Sequence, residues 1–395
     1  MAAVPFLYKS ITTRAAVAPY FRVEVLGHDL GQHVHELECH SVKPEQVVSL
    51  AAALKGLPNL SSITVSSDML QLLQDGGVGL EQEFLVLAMK SALGRVTSLK
   101  IGYALPATVA HALLHVDKLR LGRLVVLHPD SLLPVEDELV AALNSLDGLV
   151  DVELDASFAE NVPLMQQSLR LPQVRNLTFM CGQEDYTCGY SNGLILAHHV
   201  APSLEVLTFH NVYSVTAGAF APAPLPHPLL PKLRVLRIIF NESPDFDSLR
   251  LDKLPSLKHL HVSNLSGCGD VFPDEASLST FPPSLRAITI DHNLTLPASP
   301  SASLLAKCDE LGIRLSTRWH GPSLEYARMR IDDSIPRLGL AHEAPTEDDA
   351  ADLERLFGWA LGRARWLLRI GDGRAMEELA AAALRLRERF AIEHS

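Results

Sequence analysis

The chain has 395 residues, of which 47% are apolar and 20% are charged, and its formal net charge is −12. Such a composition can bury a core and excludes a chain that is disordered throughout. The acidic balance argues against nonspecific binding to nucleic acid or to anionic membranes. No charge-free apolar run reaches the roughly 18 residues of a membrane-spanning helix.

The cysteines are odd in number and widely scattered: Cys39, Cys181, Cys188, Cys268 and Cys308. This pattern favours reduced thiols in an intracellular protein, cytoplasmic or nuclear, over a disulfide framework. The first residues also lack the basic and apolar segments of a secretory signal.

The first dense group of metal-type ligands along the chain is HVHELECH, His33–His40. Alternate side chains of a strand point to opposite faces. The positions predicted to point inward are Val34, Leu37 and Cys39. The positions predicted to point outward are Glu36, Glu38 and His40, with His35 near the strand entrance. Zinc needs ligands that converge within about 2.0–2.3 Å of one ion, so a structural strand is favoured over the alternative, a metal site.

A repeated phrase ending in apolar-x-x-apolar-x-apolar organises most of the chain. It begins as LPNLSSITV at Leu57 and returns at Leu171, Ala201, Leu230, Leu254 and Phe281, with fainter copies between. The first residue of the final apolar pair falls at Leu37, Ile63, Leu99, Leu124, Val152, Leu177, Leu207, Leu236, Leu260, Ile288 and Ile313. Most intervals lie near the period of about 20–29 residues that is typical of leucine-rich repeats. One such strand cannot bury its apolar face alone, so the repeats are predicted to stack as a parallel sheet.

The connecting segments are predicted to cover the other side of this sheet. Three of them have helical character: LEQEFLVLAMKSAL from Leu80, LPATVAHALLHV from Leu105 and EDELVAALNSL from Glu136. The segment AFAPAPLPHPLLP, Ala219–Pro231, is too rich in proline for a helix and is predicted to be an extended surface loop.

The outward strand residues are the predicted contact surface for a protein partner on the concave face of the sheet. They include Asp151, Glu153, Asp155, Thr178, Met180, Thr208, His210, Arg237, Ile239, His259, His261, Thr289 and Asp291. The acidic residues are interpreted either as solvated side chains or as a patch for a basic partner segment. The histidines are either scattered surface residues or a cluster that responds to pH or holds a ligand.

The sequence changes character from Pro345 onward. Thr346 is a predicted N-cap, acidic residues follow in the first turn, and leucines recur at helical spacing up to Leu368. Gly371 and Gly373 break this helix, and a second helix is predicted over 374–390. The pair is expected either to cap the end of the repeats or to form a separate partner-binding or self-association unit.

The repeats resemble those of leucine-rich-repeat proteins, and the N-terminal part resembles fungal proteins of the F-box/leucine-rich-repeat kind. The F-box of that group ends in a phrase similar to FLYKSIT, Phe6–Thr12, and its repeats open with a phrase similar to part of Phe21–Cys39. LLAKCDELGIRLSTRW, Leu304–Trp319, looks like the closing unit of such proteins. The resemblance covers roughly residues 5–320.

The resemblance implies a substrate receptor, because the F-box of the family binds the Skp-type adaptor of a cullin–RING ubiquitin ligase. This chain begins at the tail of that module, so the adaptor-binding helices are expected to be absent. The resemblance therefore does not by itself predict that this chain binds a Skp-type adaptor or a cullin.

The sequence as a whole predicts an α/β leucine-rich-repeat solenoid with a curved parallel sheet of about eleven repeats. The predicted parts are an F-box-tail remnant and N-terminal cap (1–32), the solenoid (33–320), a linker (321–345) and a C-terminal helical hairpin or cap (346–395). The predicted function is protein binding by a substrate receptor. The alternative is a scaffold or regulator that binds one protein without a ligase. No motif for catalysis, a cofactor or a metal is found, so an enzyme is the least supported class.

Overall fold

Within the described residues, twelve parallel strands form one sheet in chain order. The computed structural model describes residues 10–12, 16, 30–40, 43–77, 79–102, 104–126, 137–155, 158, 165, 168–180, 190–212, 229–240, 246–264, 272–292 and 300–319. The strands are β1 (Ser10–Thr12), β2 (Glu36–Cys39), β3 (Ser62–Val65), β4 (Ser98–Ile101), β5 (Arg123–Val126), β6 (Asp151–Asp155), β7 (Asn176–Met180), β8 (Val206–Val212), β9 (Val235–Phe240), β10 (His259–Asn264), β11 (Ala287–His292) and β12 (Arg314–Trp319). Sequential parallel strands joined by returning segments make an α/β leucine-rich-repeat solenoid, which confirms the predicted fold class.

Eight α-helices have bounds within the described residues. They are α1 (Val47–Lys55), α2 (Ser67–Asp75), α3 (Leu80–Leu93), α4 (Pro106–Leu113), α5 (Asp137–Asn144), α6 (Tyr190–Val200), α7 (Glu275–Thr280) and α8 (Ala302–Leu311). The three helices predicted from the sequence are confirmed as α3, α4 and α5. Shorter 3₁₀ segments serve as connections elsewhere, as at Asp247–Leu249 and Leu251–Lys253.

The core lies between the sheet and the helices. One inward row consists of Ile11, Leu37, Ile63, Leu99, Leu124, Val152, Leu177, Leu207, Leu236, Leu260, Ile288 and Leu315. These residues are buried except for Leu315, which is partly buried against the same cluster. Helix residues such as Leu85 and Met89 of α3 belong to that cluster too. Because each large apolar side chain contributes about 1.5–3 kcal/mol when buried, stacking stabilises repeats that could not fold alone.

A repeated hydrogen-bond pattern sets the register just before the strands. The carbonyl of Arg175 accepts from the N–H groups of Glu205 at 2.8 Å and Val206 at 2.9 Å. The carbonyl of Glu205 accepts in turn from Arg234 at 2.8 Å and Val235 at 3.0 Å. Since these bonds join equivalent positions of successive repeats, the side chains of neighbouring strands line up across the sheet.

The sheet has one strand more than the eleven repeat positions found in the sequence. Ser10–Thr12 pairs in parallel with β2, with Ile11 opposite Leu37. Ile11 is buried in the same cluster as the other inward residues. The segment placed in the N-terminal cap therefore contributes the first strand.

The last repeat is registered two residues later than the sequence pattern suggested. Ile288 pairs with Leu315, and the predicted position, Ile313, precedes the strand. Helix α8 is followed by Gly312 in the left-handed conformation (φ 67°), and the N–H of Ile313 donates to the carbonyl of Cys308 at 2.8 Å. In this type of helix ending an apolar residue after the glycine packs back on the helix, so Ile313 is buried as part of the cap.

Several sequence predictions lie outside the described residues. They are the proline-rich loop up to residue 228, the linker and helical hairpin from 321 onward, and Cys181, Cys188 and Cys268. Cys39 and Cys308 are free and buried. No helix in the described segments is both long and apolar enough to cross a membrane.

Candidate functional site

The sheet face opposite the helices, here called the outer face, presents one continuous line of side chains across the strands. This central row consists of Thr12, Glu38, Thr64, Lys100, Val125, Glu153, Thr178, Thr208, Arg237, His261, Thr289 and Ser316. Neighbouring members stand on strands about 4.8 Å apart. Hydroxyl and charged side chains dominate the row, so the outer face is polar where the inner face is apolar.

The acidic residues of β6 differ in how open they are to a partner. Asp151 is half-buried, and its Oδ2 lies 3.6 Å from Nε of Arg123 on β5. Asp155 is only 7% exposed. Glu153 is half-buried and lies in the central row between Val125 and Thr178. Of the three acids expected to share one face, Glu153 is therefore the one with its charge available for a new contact.

The middle of the outer face, on β7 and β8, carries little charge. Thr178 and Thr208 lie side by side in the central row. Met180 and His210 form the next pair along the same two strands, and all four residues are half-buried. Ile239 on β9 is also half-buried. This part combines hydroxyl groups with apolar surface, as the centre of a protein interface often does.

Hydrogen bonds join the side chains of β10, β11 and β12. Nε2 of His261 lies 2.8 Å from Oδ2 of Asp291, and Nε2 of His259 lies 2.8 Å from Oγ1 of Thr289. Thr289 Oγ1 is in turn 3.1 Å from Oγ of Ser316. The two imidazole rings are nearly parallel, with centroids 6.4 Å apart. Each ring is therefore held in place, and Arg237 next to His261 is the exposed cation of this region.

Within the HVHELECH segment, Glu36–Cys39 forms β2, as favoured from the sequence, and His33 ends a 3₁₀ helix that begins at Leu30. Val34, Leu37 and Cys39 are buried, whereas His40 is exposed, with its Nε2 3.7 Å from Oε2 of Glu38. Cys39 lies on the inner face of the strand, where burial raises the pKa of its thiol to about 12, whereas Glu38 lies on the outer face. Within the described segments, no group of three or more His, Cys, Asp and Glu side chains is arranged to hold a metal ion.

Five members of the central row are absent from the residues predicted from the sequence: Thr12, Thr64, Lys100, Val125 and Ser316. Ser316 was missed because the last repeat was aligned on Ile313, which put Arg314 where Ser316 belongs. Lys100 is exposed in the central row two strands before Glu153 and could have been found by applying the repeat alignment to β4. The pairing of His261 with Asp291 also follows from that alignment, because one residue stands diagonally from the other on the next strand.

No protein-family model matches the chain, and a search of curated proteins finds no match. The leucine-rich repeat-containing protein LegL7 from Legionella pneumophila is similar over 77% of this chain and 97% of its own, with 12% identity and a TM-score of 0.41. A structure of the yeast Rad7 and Elc1 complex is similar over 73% of this chain and 75% of that chain, with 14% identity and a TM-score of 0.36. Because both identities and both TM-scores are low, we assign the fold from the strands and helices of this chain and not from these two structures.

Proposed function

We propose that this chain is a protein-binding module of the substrate-receptor type, and that its partner binds on the outer face. The observation that carries the proposal is the central row, in which eleven of the twelve strands place a polar or charged side chain toward the outer face. Repeat proteins commonly bind partners on the extended concave surface that their stacked repeats create, and we propose that the outer face serves as that surface here.

Binding fits the outer face better than catalysis does. Nε2 of His261 and Oδ2 of Asp291 are 2.8 Å apart, so these two titratable side chains are hydrogen-bonded to each other. His259 is likewise engaged with Thr289. A catalytic centre would need several groups aimed at one reacting atom, whereas these side chains spread along rows of neighbouring strands. We therefore propose no catalytic residue and no cofactor.

The sequence resemblance supports a connection to a ubiquitin ligase as the finer form of the proposal. The phrase Phe6–Thr12 resembles the tail of an F-box, and its described part, Ser10–Thr12, forms strand β1. The second candidate is a scaffold that uses the same face without a ligase. For both candidates we propose an intracellular setting, cytoplasmic or nuclear, because an odd number of scattered cysteines does not suggest a disulfide framework.

Affinity capture from the source cells with matched variants tests the proposal. The face variant carries Thr178→Arg and Thr208→Arg, and the control carries Ser91→Arg and Ser303→Arg, at exposed helix positions of α3 and α8. Circular dichroism first establishes that both variants fold. We expect one set of proteins to be lost with the face variant and retained with the control. A Skp-type adaptor and a cullin in that set would support the ligase form, and a single partner without them would support the scaffold. If the two variants capture the same proteins as the parent chain, the proposal is wrong.

A further inference from the structure

We propose that the outer face recognises an extended partner segment that carries a basic side chain and, four residues away, an acidic one. This inference rests on the proposed function and adds the chemistry of the partner. Its basis is the placement of Glu153 on β6 and Arg237 on β9 in the same central row, with Thr178 and Thr208 between them.

The part of the central row from Glu153 to Arg237 is here called the window. Glu153 and Arg237 are the charged side chains of this window, and both are open to a partner. Neither has an ion-pair partner within the described part of the chain. The other acids of β6 are less available, because Asp151 is 3.6 Å from Arg123 and Asp155 is buried. The window therefore has a negative end and a positive end, and a complementary segment must present its charges in that pattern.

The strand spacing sets how far apart the partner's charges must be. Glu153 and Arg237 are three strands apart, which corresponds to about 14 Å at about 4.8 Å per strand. A segment lying across the strands advances about 3.3 Å per residue when extended, so four residues span about 13 Å. An even separation also places both side chains on the same side of an extended segment. A helix would need about nine residues for this distance, at 1.5 Å per residue.

The surroundings of the two ends favour the same ligand. The residue midway between the partner's charges would face Thr178 and Thr208, which suits a small or polar side chain that hydrogen-bonds to a hydroxyl. At the positive end, His261 stands one strand beyond Arg237 and is already hydrogen-bonded to Asp291, which leaves Arg237 as the cation that meets the incoming carboxylate. At the negative end, the exposed Lys100 two strands away repels a basic segment that continues past Glu153.

Dye-labelled peptides of alanine and serine with two charged positions test the spacing. The matched peptide has Lys at position i and Asp at i+4, and the controls have Lys at both positions, Asp at both, or Lys and Asp at i and i+3. The i+3 peptide places its charges on opposite sides of an extended chain. Fluorescence anisotropy is measured against the full chain at low ionic strength, because salt screens exposed charges.

We expect the matched peptide to bind about two- to fivefold more tightly than each control, the range given by one exposed ion pair. Equal affinities for all four peptides would overturn the proposal. So would the absence of binding by the matched peptide at millimolar concentrations of the chain.

Charge reversals in the protein provide the matched test. Glu153→Lys should shift the preference to the peptide with two Asp residues, and Arg237→Glu should shift it to the peptide with two Lys residues. The double variant should prefer the matched peptide again, because that peptide can bind in the opposite direction. Glu45→Lys with Lys118→Glu, at exposed positions outside the sheet, should leave the ranking unchanged.

The failure of this inference can be told apart from the failure of the proposed function. If the charge reversals at Glu153 and Arg237 leave the order of peptide affinities unchanged, while the substitutions at Thr178 and Thr208 still abolish capture, the outer face binds a partner by other chemistry and the charge pattern is wrong. If the substitutions at Thr178 and Thr208 also leave the captured proteins unchanged, both proposals are wrong.

Discussion

Replacing Gly193 with alanine tests how closely α6 packs on β7 and β8. An alanine in the interior of a helix is normally favoured over glycine by about 1 kcal/mol. At position 193, however, an added Cβ would overlap Cε1 of Phe209 and would lie 3.0 Å from its Cζ. It would also lie 3.5 Å from Cδ2 of Phe179. The sign of the effect therefore depends on whether Phe209 can move.

The surroundings of Phe209 leave it little room. Its ring centroid is 5.6 Å from that of Phe179 and 4.9 Å from that of Tyr190, and all three residues are fully buried. Overpacking a core costs about 1–3 kcal/mol, and the enclosed ring places this site in the upper half of that range. After the gain in helix propensity of about 1 kcal/mol is subtracted, Gly193→Ala should lower the free energy of unfolding by about 1–2 kcal/mol.

Urea unfolding followed by circular dichroism measures this change. The midpoint should fall while the dependence of the unfolding free energy on urea stays the same. Phe209→Leu provides the control, because a smaller side chain removes the overlap and should make Gly193→Ala less damaging in the double variant. A Gly193→Ala variant that is more stable than the parent chain would refute the packing of α6 on Phe209.

Three further predictions concern the hydrogen bonds and buried groups of the solenoid. Tyr190→Phe should lower the unfolding free energy by about 1–2 kcal/mol, because the Tyr190 hydroxyl donates to the carbonyl of Leu249 at 3.0 Å in the core; an unchanged urea midpoint would contradict this. Stability should fall as the pH drops below about 6.5, because burial, aided by His199, lowers the pKa of His198 and the unfolded state then binds more protons. His198→Asn should reduce this loss, since its amide oxygen can replace Nδ1 as the acceptor of the Leu230 N–H; an identical pH profile of thermal unfolding for the two proteins would count against the assignment. Cys39 should react with a thiol reagent at mildly alkaline pH only after unfolding, because burial raises its pKa to about 12; rapid labelling of the native protein, located by mass spectrometry, would show that the site is open.

The sequence pattern was most informative where one physical constraint acts on every repeat. Most strands must bury two apolar side chains, so the alternation at Leu177 and Phe179 identified both the strand and its inward face. The same constraint was misleading at Ile313, because a helix cap also requires an apolar residue. It was incomplete at Ser10–Thr12, because a strand of three residues with one buried side chain gives too short a pattern to be recognised.

The outer face could be predicted only in part. Once the repeats were aligned, the sequence placed Glu153, Thr178, Thr208, Arg237 and His261 on one side of the sheet. It could not show that Asp155 would be buried, that Arg123 would pair with Asp151, or that Thr289 would join His259 to Ser316. Those properties depend on which side chains of different repeats come into contact, and on their rotamers.

The fold class of this protein is thus encoded locally, because the length and apolar pattern of each repeat are enough to require stacking in a parallel sheet. The availability of its charges is not encoded locally. Glu153 and Arg237 are open, and their acidic and histidine neighbours are engaged, because residues about thirty positions apart in the chain meet on adjacent strands. The tertiary structure therefore decides which charged side chains remain available to a partner, because it determines which side chains of neighbouring repeats bind each other.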